Sequence, residues 1–388
     1  MLRFKGSEHF RQRLILSNLS GKPIRIDDIR TSDENPGLRD YEASLLRLLE
    51  KITNGCVIEI NETGTSLRYK PGFIHGGTVD HDCGASRAIG YFLEPLSLLS
   101  LWGRKPLTAT LIGITNDATD PTVDTWRTVT LPLLKALSGL DKDEASGGGG
   151  GDFELRIVRR GAPPNGGGQI ILRIPIIKQT ISSPVNLIDE GMVKRIRGIA
   201  YSTKVSPQAS NRMVDGARGV LNALLADVFI FTDHMSGKEG GLSPGYGITL
   251  VAETTTGRML AAEASMASSS NNHRRNNNSN YNNEEEEEEE VVPEDLGRRA
   301  AHSLLEEVSR GGVVDGSHQG LVLLMAALGP DEMSEVRLGP LTPYAVRTMR
   351  HIKDFFNVQF SVRPERESGT VFLSCIGAGY KNVSKKLA

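Results

Sequence analysis

A chain of 388 residues, 38% hydrophobic and 24% charged, is long enough to bury a large core and to form two domains. No apolar run approaches the roughly 20 residues of a bilayer crossing, and the opening MLRFKGSEHF has no apolar signal region, so the expectation is a protein neither secreted nor embedded in a membrane. Cys56, Cys83 and Cys375 form no CxxC pair and leave an odd count, which argues against a disulfide framework and a cysteine zinc site and for a reducing compartment, cytosol or nucleus. The formal charge of −2 hides an asymmetry. The tract 264–290 sets two arginines against seven glutamates, a net of −5, which leaves +3 on the rest. Local basic clusters stand at Arg156, Arg159 and Arg160, at Lys194, Arg195 and Arg197, and at Lys381, Lys385 and Lys386. Each is either ordinary solvated surface or part of an RNA footprint.

In chain order, Phe10 to Leu19 predicts a helix, Gly21-Lys22-Pro23 a turn and Ile24 to Ile29 a strand. Asn35-Pro36-Gly37 opens a helix with the stripe Leu38, Tyr41, Leu45, Leu48, Leu49 and Ile52, closed by Asn54-Gly55. Cys56 to Ile60 and Ser66 to Tyr69 form a strand pair, His75-Gly76-Gly77 begins a loop, and Ile89 to Leu101 is a buried helix. The same order of parts returns: strand Leu107 to Thr115, a helix from Asp120-Pro121 to Leu137, and the strand pair Phe153 to Arg159 and Gln169 to Ile177. Gly198 to Val205, a helix from Ser206-Pro207 to Leu225, Val228 to Thr232 and a hairpin around Thr254 to Gly257 then read as an inserted domain, about Val185 to Glu290. Its tail, the Asn/Glu-rich tract from Ala264, is too polar to order itself and is expected to be a disordered loop, and Ser146 to Gly151 a shorter linker. A third pass begins with a helix at Pro293. Repeated helices laid on small sheets predict an α/β architecture of three units plus the insertion, with boundaries 1–184, 185–290 and 291–388.

Within the third pass, Leu321 to Leu328 is an apolar helix, Val336 to Leu338 a strand, and Thr342-Pro343 caps a last helix. Val346, Met349, Ile352 and Phe356 are expected to face the core, with Tyr344, Arg347, His351 and Asp354 on the opposite arc and Arg350 and Lys353 at its edge. That arc is either a solvated helix face or a surface for RNA or a partner. No P-loop, GxSxG, HExxH or GxGxxG is present, and Asn165-Gly166-Gly167-Gly168 joins two strands as a tight turn. His81-Asp82 and Thr232-Asp233-His234 place each histidine and acid on opposite faces of a strand, so neither is a dyad. No metal site and no cofactor are expected.

The blocks IRTSDENPGLRDYE, YKPGFIHGG, GITNDATDPTVDTWRTVTLPLLK, FELRIVRRGAPPNGGGQIIL, RIRGIAYSTKVSPQ, PEDLGRRAAHSLLEEVSRGG and LGPLTPYAVRTMRHIKDFF resemble the RNA 3'-terminal phosphate cyclase family, in its eukaryotic non-cyclase branch, over nearly the whole chain. The resemblance implies a three-repeat α/β body with a smaller α/β domain between repeats two and three. It also implies a vacated catalytic position, because Tyr344 falls where the enzymes carry the histidine that attacks ATP. A phenol with an ordinary pKa of about 10 replaces imidazole poorly at neutral pH. Phe4 to His9 replaces the enzymes' N-terminal glutamate and glycine-rich stretch, and Asp33 stands for a loop arginine. Arg11 and Arg30 fall on arginines of the enzymes, so an anion pocket is expected there. The implied role is a nucleolar ribosome-assembly factor of the small-subunit processome, lacking cyclase activity. It would support pre-rRNA cleavage toward 18S rRNA and bind pre-rRNA and a large assembly GTPase. The alternative is an endoribonuclease in which Tyr344, Arg347, Arg350, His351 and Lys353 supply base, acid and charge stabilisation.

Overall fold

A computed structural model describes residues 1–140, 152–266 and 292–384. The first unit runs β1 (Leu2–Lys5), α1 (Phe10–Ser20), β2 (Ile24–Asp27), α2 (Asp40–Ile52), β3 (Val57–Ile60) and β4 (Leu67–Lys70). β1 and β2 are parallel, which requires a crossover, and α1 supplies it. β4 then pairs antiparallel with both β2 and β3, for the order β1-β2-β4-β3. The second unit repeats this plan with β5 (Gly77–Asp82), α3 (Ile89–Ser100), β6 (Leu107–Gly113), a helical run ending in α4 (Leu131–Ser138), β7 (Glu154–Arg159) and β8 (Gly168–Ile174), in the order β5-β6-β8-β7. β5 lies where the sequence suggested a loop. Its buried Val79 and His81 alternate with exposed Thr78, Asp80 and Asp82, and so polar a set hides the period of two.

β9 (Asn186–Leu187) starts the third unit, and its crossover carries the insertion: β10 (Val193–Thr203), α5 (Gln208–Leu221), β11 (Val228–Met235), β12 (Gly245–Thr254), β13 (Met259–Ser265) and α6 (Pro293–Arg310). The chain then returns through α7 (Gln319–Leu328), β14 (Met333–Leu338), α8 (Pro343–Phe356), β15 (Ser361–Pro364) and β16 (Val371–Ile376). The third sheet has the order β9-β14-β16-β15, again with one parallel pair and two antiparallel ones, and the inserted sheet the order β11-β10-β12-β13. The three-unit α/β plan with an added α/β sheet is therefore the observed fold. The Ser-Gly run 146–151 lies outside the described residues. So does the Asn/Glu-rich tract from 267 to 290, whereas Ala264 and Ser265 at its expected start are buried in β13.

Two apolar cores result. The larger gathers Leu14, Leu45, Phe92, Leu111, Leu323 and Phe355 from all three units. The smaller gathers Ile196, Met213, Ile230 and Leu250 with Leu296, Ala300 and Leu304 of α6. The helix expected to open the third unit at residue 291 thus belongs by packing to the inserted sheet, and β9, inside the expected insertion, belongs to the third sheet. Glycines allow the close crossing of α5 and α6. A Cβ on Gly297 would sit 2.1 Å from the carbonyl oxygen of Met213, and one on Gly216 2.4 Å from that of Glu294. Periodicity finds α6 but cannot tell which sheet its stripe covers. No described helix is long and apolar enough to cross a membrane.

A buried charge cluster fixes the insertion to the second unit. Arg160, fully buried, donates to both oxygens of Asp124 at 2.7 and 2.9 Å and to Asp233 of β11 at 2.7 and 2.9 Å. Its guanidinium lies 4.9 Å from the centroid of the Tyr201 ring on β10. On β13, Glu263 accepts from the Thr122 amide and from the hydroxyls of Thr122 and Thr125. Burial raises the Glu263 pKa, while those donors oppose the rise. Removing one partner of a buried pair strands the other. Asp124→Ala is expected to cost about 3–5 kcal/mol in urea unfolding, and Asp233→Ala, at a one-third exposed carboxylate, distinctly less. Equal losses would show that water replaces Asp124 as readily as Asp233.

Candidate functional site

α3 reads IGYFLEPLSLLS, so its single charge, Glu94, sits on an otherwise apolar helix and needs partners. Arg11 of α1 supplies one, its Nε 2.6 Å from Glu94 Oε2, while its Nη1 donates to the Tyr91 carbonyl at 3.1 Å and lies 3.7 Å from Asp120. Tyr344, on the first turn of α8, supplies the other by donating its hydroxyl to Glu94 Oε1 at 3.0 Å. Burial pushes the phenol well above its ordinary range, and the Glu94 carboxylate adds to the effect. Burial alone would pull Arg11 down, but Glu94, together with Tyr344, Asp120 and Tyr91, outweighs it and keeps the guanidinium charged.

These groups line a cavity of about 360 Å³ together with Trp126, Thr130 and His318. Asp315 and His318 stand three residues apart ahead of α7. His318 Nδ1 lies 2.8 Å from Asp315 Oδ1, and Nε2 lies 2.9 Å from Thr130 Oγ1. Burial disfavours a charged imidazole there, but Asp315 more than compensates and raises the His318 pKa. The Trp126 Nε1–H has no acceptor among the described residues. The fold brings His318, far from Tyr344 in helical register, into the same cavity as Tyr344. The Asp-x-x-His spacing and the lone carboxylate on α3 were the available signals for Asp315, His318 and Glu94.

Arg30 lies in an adjoining cavity of about 750 Å³ with Arg39, Tyr41, Arg87 and Asp117. Its fork meets both oxygens of Glu42, at 2.7 and 2.8 Å. Arg87 pairs with Asp120 and stacks over Tyr41 and Tyr91, so it connects the two cavities. Arg11 and Arg30 therefore do not converge on one anion pocket: they stand in neighbouring cavities, each already matched by a carboxylate.

The arc on α8 is also rearranged. Thr342 caps the helix by accepting from the Ala345 amide at 3.1 Å, with Pro343 at its first turn, as the sequence predicts. The buried face is Ala345, Thr348, His351, Ile352 and Phe355, while Val346, Met349 and Phe356 are only half-buried. The stripe is thus turned by about one position: Gln12 of α1 bonds Thr348, and Gly320 of α7 lies so near Tyr344 and Thr348 that a Cβ there would meet both. Two arc residues leave the surface as a result. Tyr344 turns into the cavity, and His351 is buried, with Nδ1 2.7 Å from Gln12 Oε1 and its ring edge-on to Phe4. Arg347, Arg350 and Lys353 stay exposed. Burial, aided by Arg13, His9 and Arg347, lowers the His351 pKa to about 4.

The two buried histidines make opposite contributions to the pH dependence of stability. His318 has a raised folded pKa, so its contribution is present below about pH 6.5 and is lost as pH rises through that folded value. His351 has a lowered one, so the unfolded chain takes up its proton first and stability falls as pH drops from about 6.5 to about 4. In urea unfolding across pH, His318→Gln is expected to flatten the alkaline arm and His351→Gln the acid arm. A variant that shifts both arms equally would contradict these assignments.

The profile of the RNA 3'-terminal phosphate cyclase family matches residues 2–362. A Mus musculus protein named RNA 3'-terminal phosphate cyclase-like protein is 48% identical over 392 residues, covering 100% of this chain and 98% of its own. A probable RNA 3'-terminal phosphate cyclase-like protein of Dictyostelium discoideum is 49% identical over 386 residues, 99% of either chain. The Schizosaccharomyces pombe rRNA processing protein rcl1 is 43% identical over 387 residues, 99% of this chain and 98% of its own. A match of this extent, on three sheets of one repeated plan with a fourth inserted, means that the chain belongs to the RNA 3'-terminal phosphate cyclase family.

Proposed function

We propose that this chain is a non-cyclising member of its family that works in rRNA processing, binding pre-rRNA as an assembly factor. The observation that carries the reading is Tyr344. At the position where the family resemblance puts the nucleophilic histidine, a buried phenol donates to Glu94, and burial beside a carboxylate holds its proton more tightly than in water. The cavity's imidazole, that of His318, is held between Asp315 and Thr130. The name of the fission-yeast relative supports the link to rRNA processing. The remaining parts of the reading follow the family resemblance: the small-subunit processome as setting, maturation of 18S rRNA, a large assembly GTPase as partner, and the nucleolus as location.

Arg347, Arg350 and Lys353 are the surface proposed for RNA or the GTPase, since they are exposed and no carboxylate pairs with them among the described residues. RNA cleavage by the arc loses support from its geometry. A catalytic patch needs base, acid and cation together, whereas the Tyr344 hydroxyl is turned to Glu94 in the cavity and His351 is buried against Gln12, apart from the three exposed cations.

Incubation with labelled ATP is expected to yield no covalent adenylylated protein, and RNA ending in a 3'-phosphate is expected to stay uncyclised. A stoichiometric adduct would refute the non-cyclising assignment. A fragment of pre-rRNA is expected to bind the wild-type chain with a steep dependence on salt. Arg347→Ala, Arg350→Ala and Lys353→Ala together should leave stability within about 0.5 kcal/mol per site. For each phosphate that the variant no longer engages, the log-log salt slope should flatten by about one unit, whereas a surface that instead meets the GTPase should give a weaker salt effect.

A further inference from the structure

Buried guanidinium groups in this protein come with carboxylates. Arg11 has Glu94 at 2.6 Å, Arg30 has Glu42 at 2.7 Å, Arg160 has Asp124 at 2.7 Å, and Arg87 is paired with Asp120. Arg13 is the exception. Its side chain is only 6% exposed, yet no carboxylate among the described residues lies within ion-pair distance. Nη1 donates to the Gly6 carbonyl at 2.8 Å and Nη2 reaches the Lys5 carbonyl at 3.5 Å, while the buried Nε–H has no acceptor among the described residues. The guanidinium carbon sits 4.8 Å from the Phe4 ring centroid.

The groups around Arg13 are also positive or able to become so. His9 and His351 face each other with ring centroids 5.7 Å apart, and both feel Arg13 and Arg347. Burial brings Arg13 down to about 10, the Glu8 carboxylate opposes that fall, and Arg347 adds to it more weakly. Glu8 is exposed and makes no ion pair. All of this surrounds the N-terminus of α1, an 11-residue helix whose first turn holds no acidic residue and whose N-cap, His9, makes no side-chain cap. A helix N-terminus, an orphaned buried Nε–H and a cluster of cations with no ion-paired carboxylate favour an anion for the same electrostatic reason.

The surroundings indicate which anion. Arg347, Arg350 and Lys353 continue the positive charge along α8 for about 9 Å at 1.5 Å of rise per residue, a row that one small ion cannot engage and a chain of phosphates can. We infer that Arg13, with His9, His351 and Arg347, forms a phosphate site at the N-terminus of α1 that takes a phosphodiester of single-stranded RNA, whose backbone then runs along Arg350 and Lys353. The inference rests on the proposed work on rRNA, and the site differs from the Glu94–Tyr344 cavity, where every charge already has a partner.

The test uses the full chain, a labelled short oligouridylate without terminal phosphates, and the imidazole signals of His9 and His351 followed by NMR across pH. Bound RNA is expected to raise both histidine titration midpoints by roughly one unit, since a nearby anion favours imidazolium. Arg13→Gln is expected to weaken binding at least tenfold. The exposed Arg347→Glu should do the same and abolish the midpoint shifts, so it carries the test if Arg13→Gln misfolds. If RNA binds while the midpoints and the Arg347→Glu affinity stay unchanged, the RNA lies elsewhere: this site is refuted and the rRNA reading stands. If wild-type protein binds no RNA, both fall. If inorganic phosphate or a phosphoserine peptide shifts the midpoints as strongly as RNA at equal concentration, the site takes a lone phosphate and the RNA assignment is overturned.

Discussion

The need to neutralise charge buried where repeated units meet governs this structure. Glu94 is the clearest case: one carboxylate on an apolar helix of the second unit receives Arg11 from the first and Tyr344 from the third. Arg160 does the converse, a buried cation held between Asp124 of the second unit and Asp233 of the inserted sheet. Such pairs add little net stability over apolar packing, but they penalise any arrangement of the units that leaves a charge alone, and so they fix relative position.

The repeated β-α-β-plus-hairpin plan explains where an insertion is tolerated. A parallel strand pair must be connected by a long crossover, and in the third unit that crossover, from β9 to β14, carries the inserted sheet before α7 closes it. The insertion has its own apolar core, with α5 and α6 crossing at Gly216 and Gly297. Its contacts with the body are mainly polar: Glu263 with Thr122 and Thr125, Asp233 with Arg160, and the Ala261 amide with Asp315. Besides Ser317, Asp315 therefore serves His318 in the cavity and the backbone of β13, which couples the cavity to the seating of the inserted sheet.

The two sides of α8 differ in their state of compensation. On the cavity side every charge is matched, and the phenol of Tyr344 is held by hydrogen bonding and burial, an arrangement that favours structure over nucleophilic chemistry. On the side toward α1, Arg13 meets backbone carbonyls but no carboxylate among the described residues, and its Nε–H is left without an acceptor among them. Where a fold leaves a buried charge unmatched, the balance is completed from outside, which is why the second side and not the first is the place to look for a ligand.

The sequence by itself determined the elements and the class of fold. Stripes such as Leu45, Leu48, Leu49 and Ile52, the Thr342-Pro343 cap and the strand pairs before and after Gly166 depend on neighbours within a dozen or so residues, and local spacing reports them faithfully. It also carried the family resemblance. Tertiary structure alone decided what each charged or polar residue faces. Whether His351 looks to solvent depends on Gln12 and Phe4, more than 300 residues away in sequence, and the partner of Arg11 lies 83 residues on. The arc on α8 was misjudged because hydropathy weighs Val346 and Met349 above Ala345 and Thr348. A helix instead buries the side on which its neighbours approach most closely, and small residues allow the closest approach. Arg13 was invisible for the same reason: an arginine is a site or a surface charge according to whether a carboxylate stands beside it, and that is a property of three dimensions.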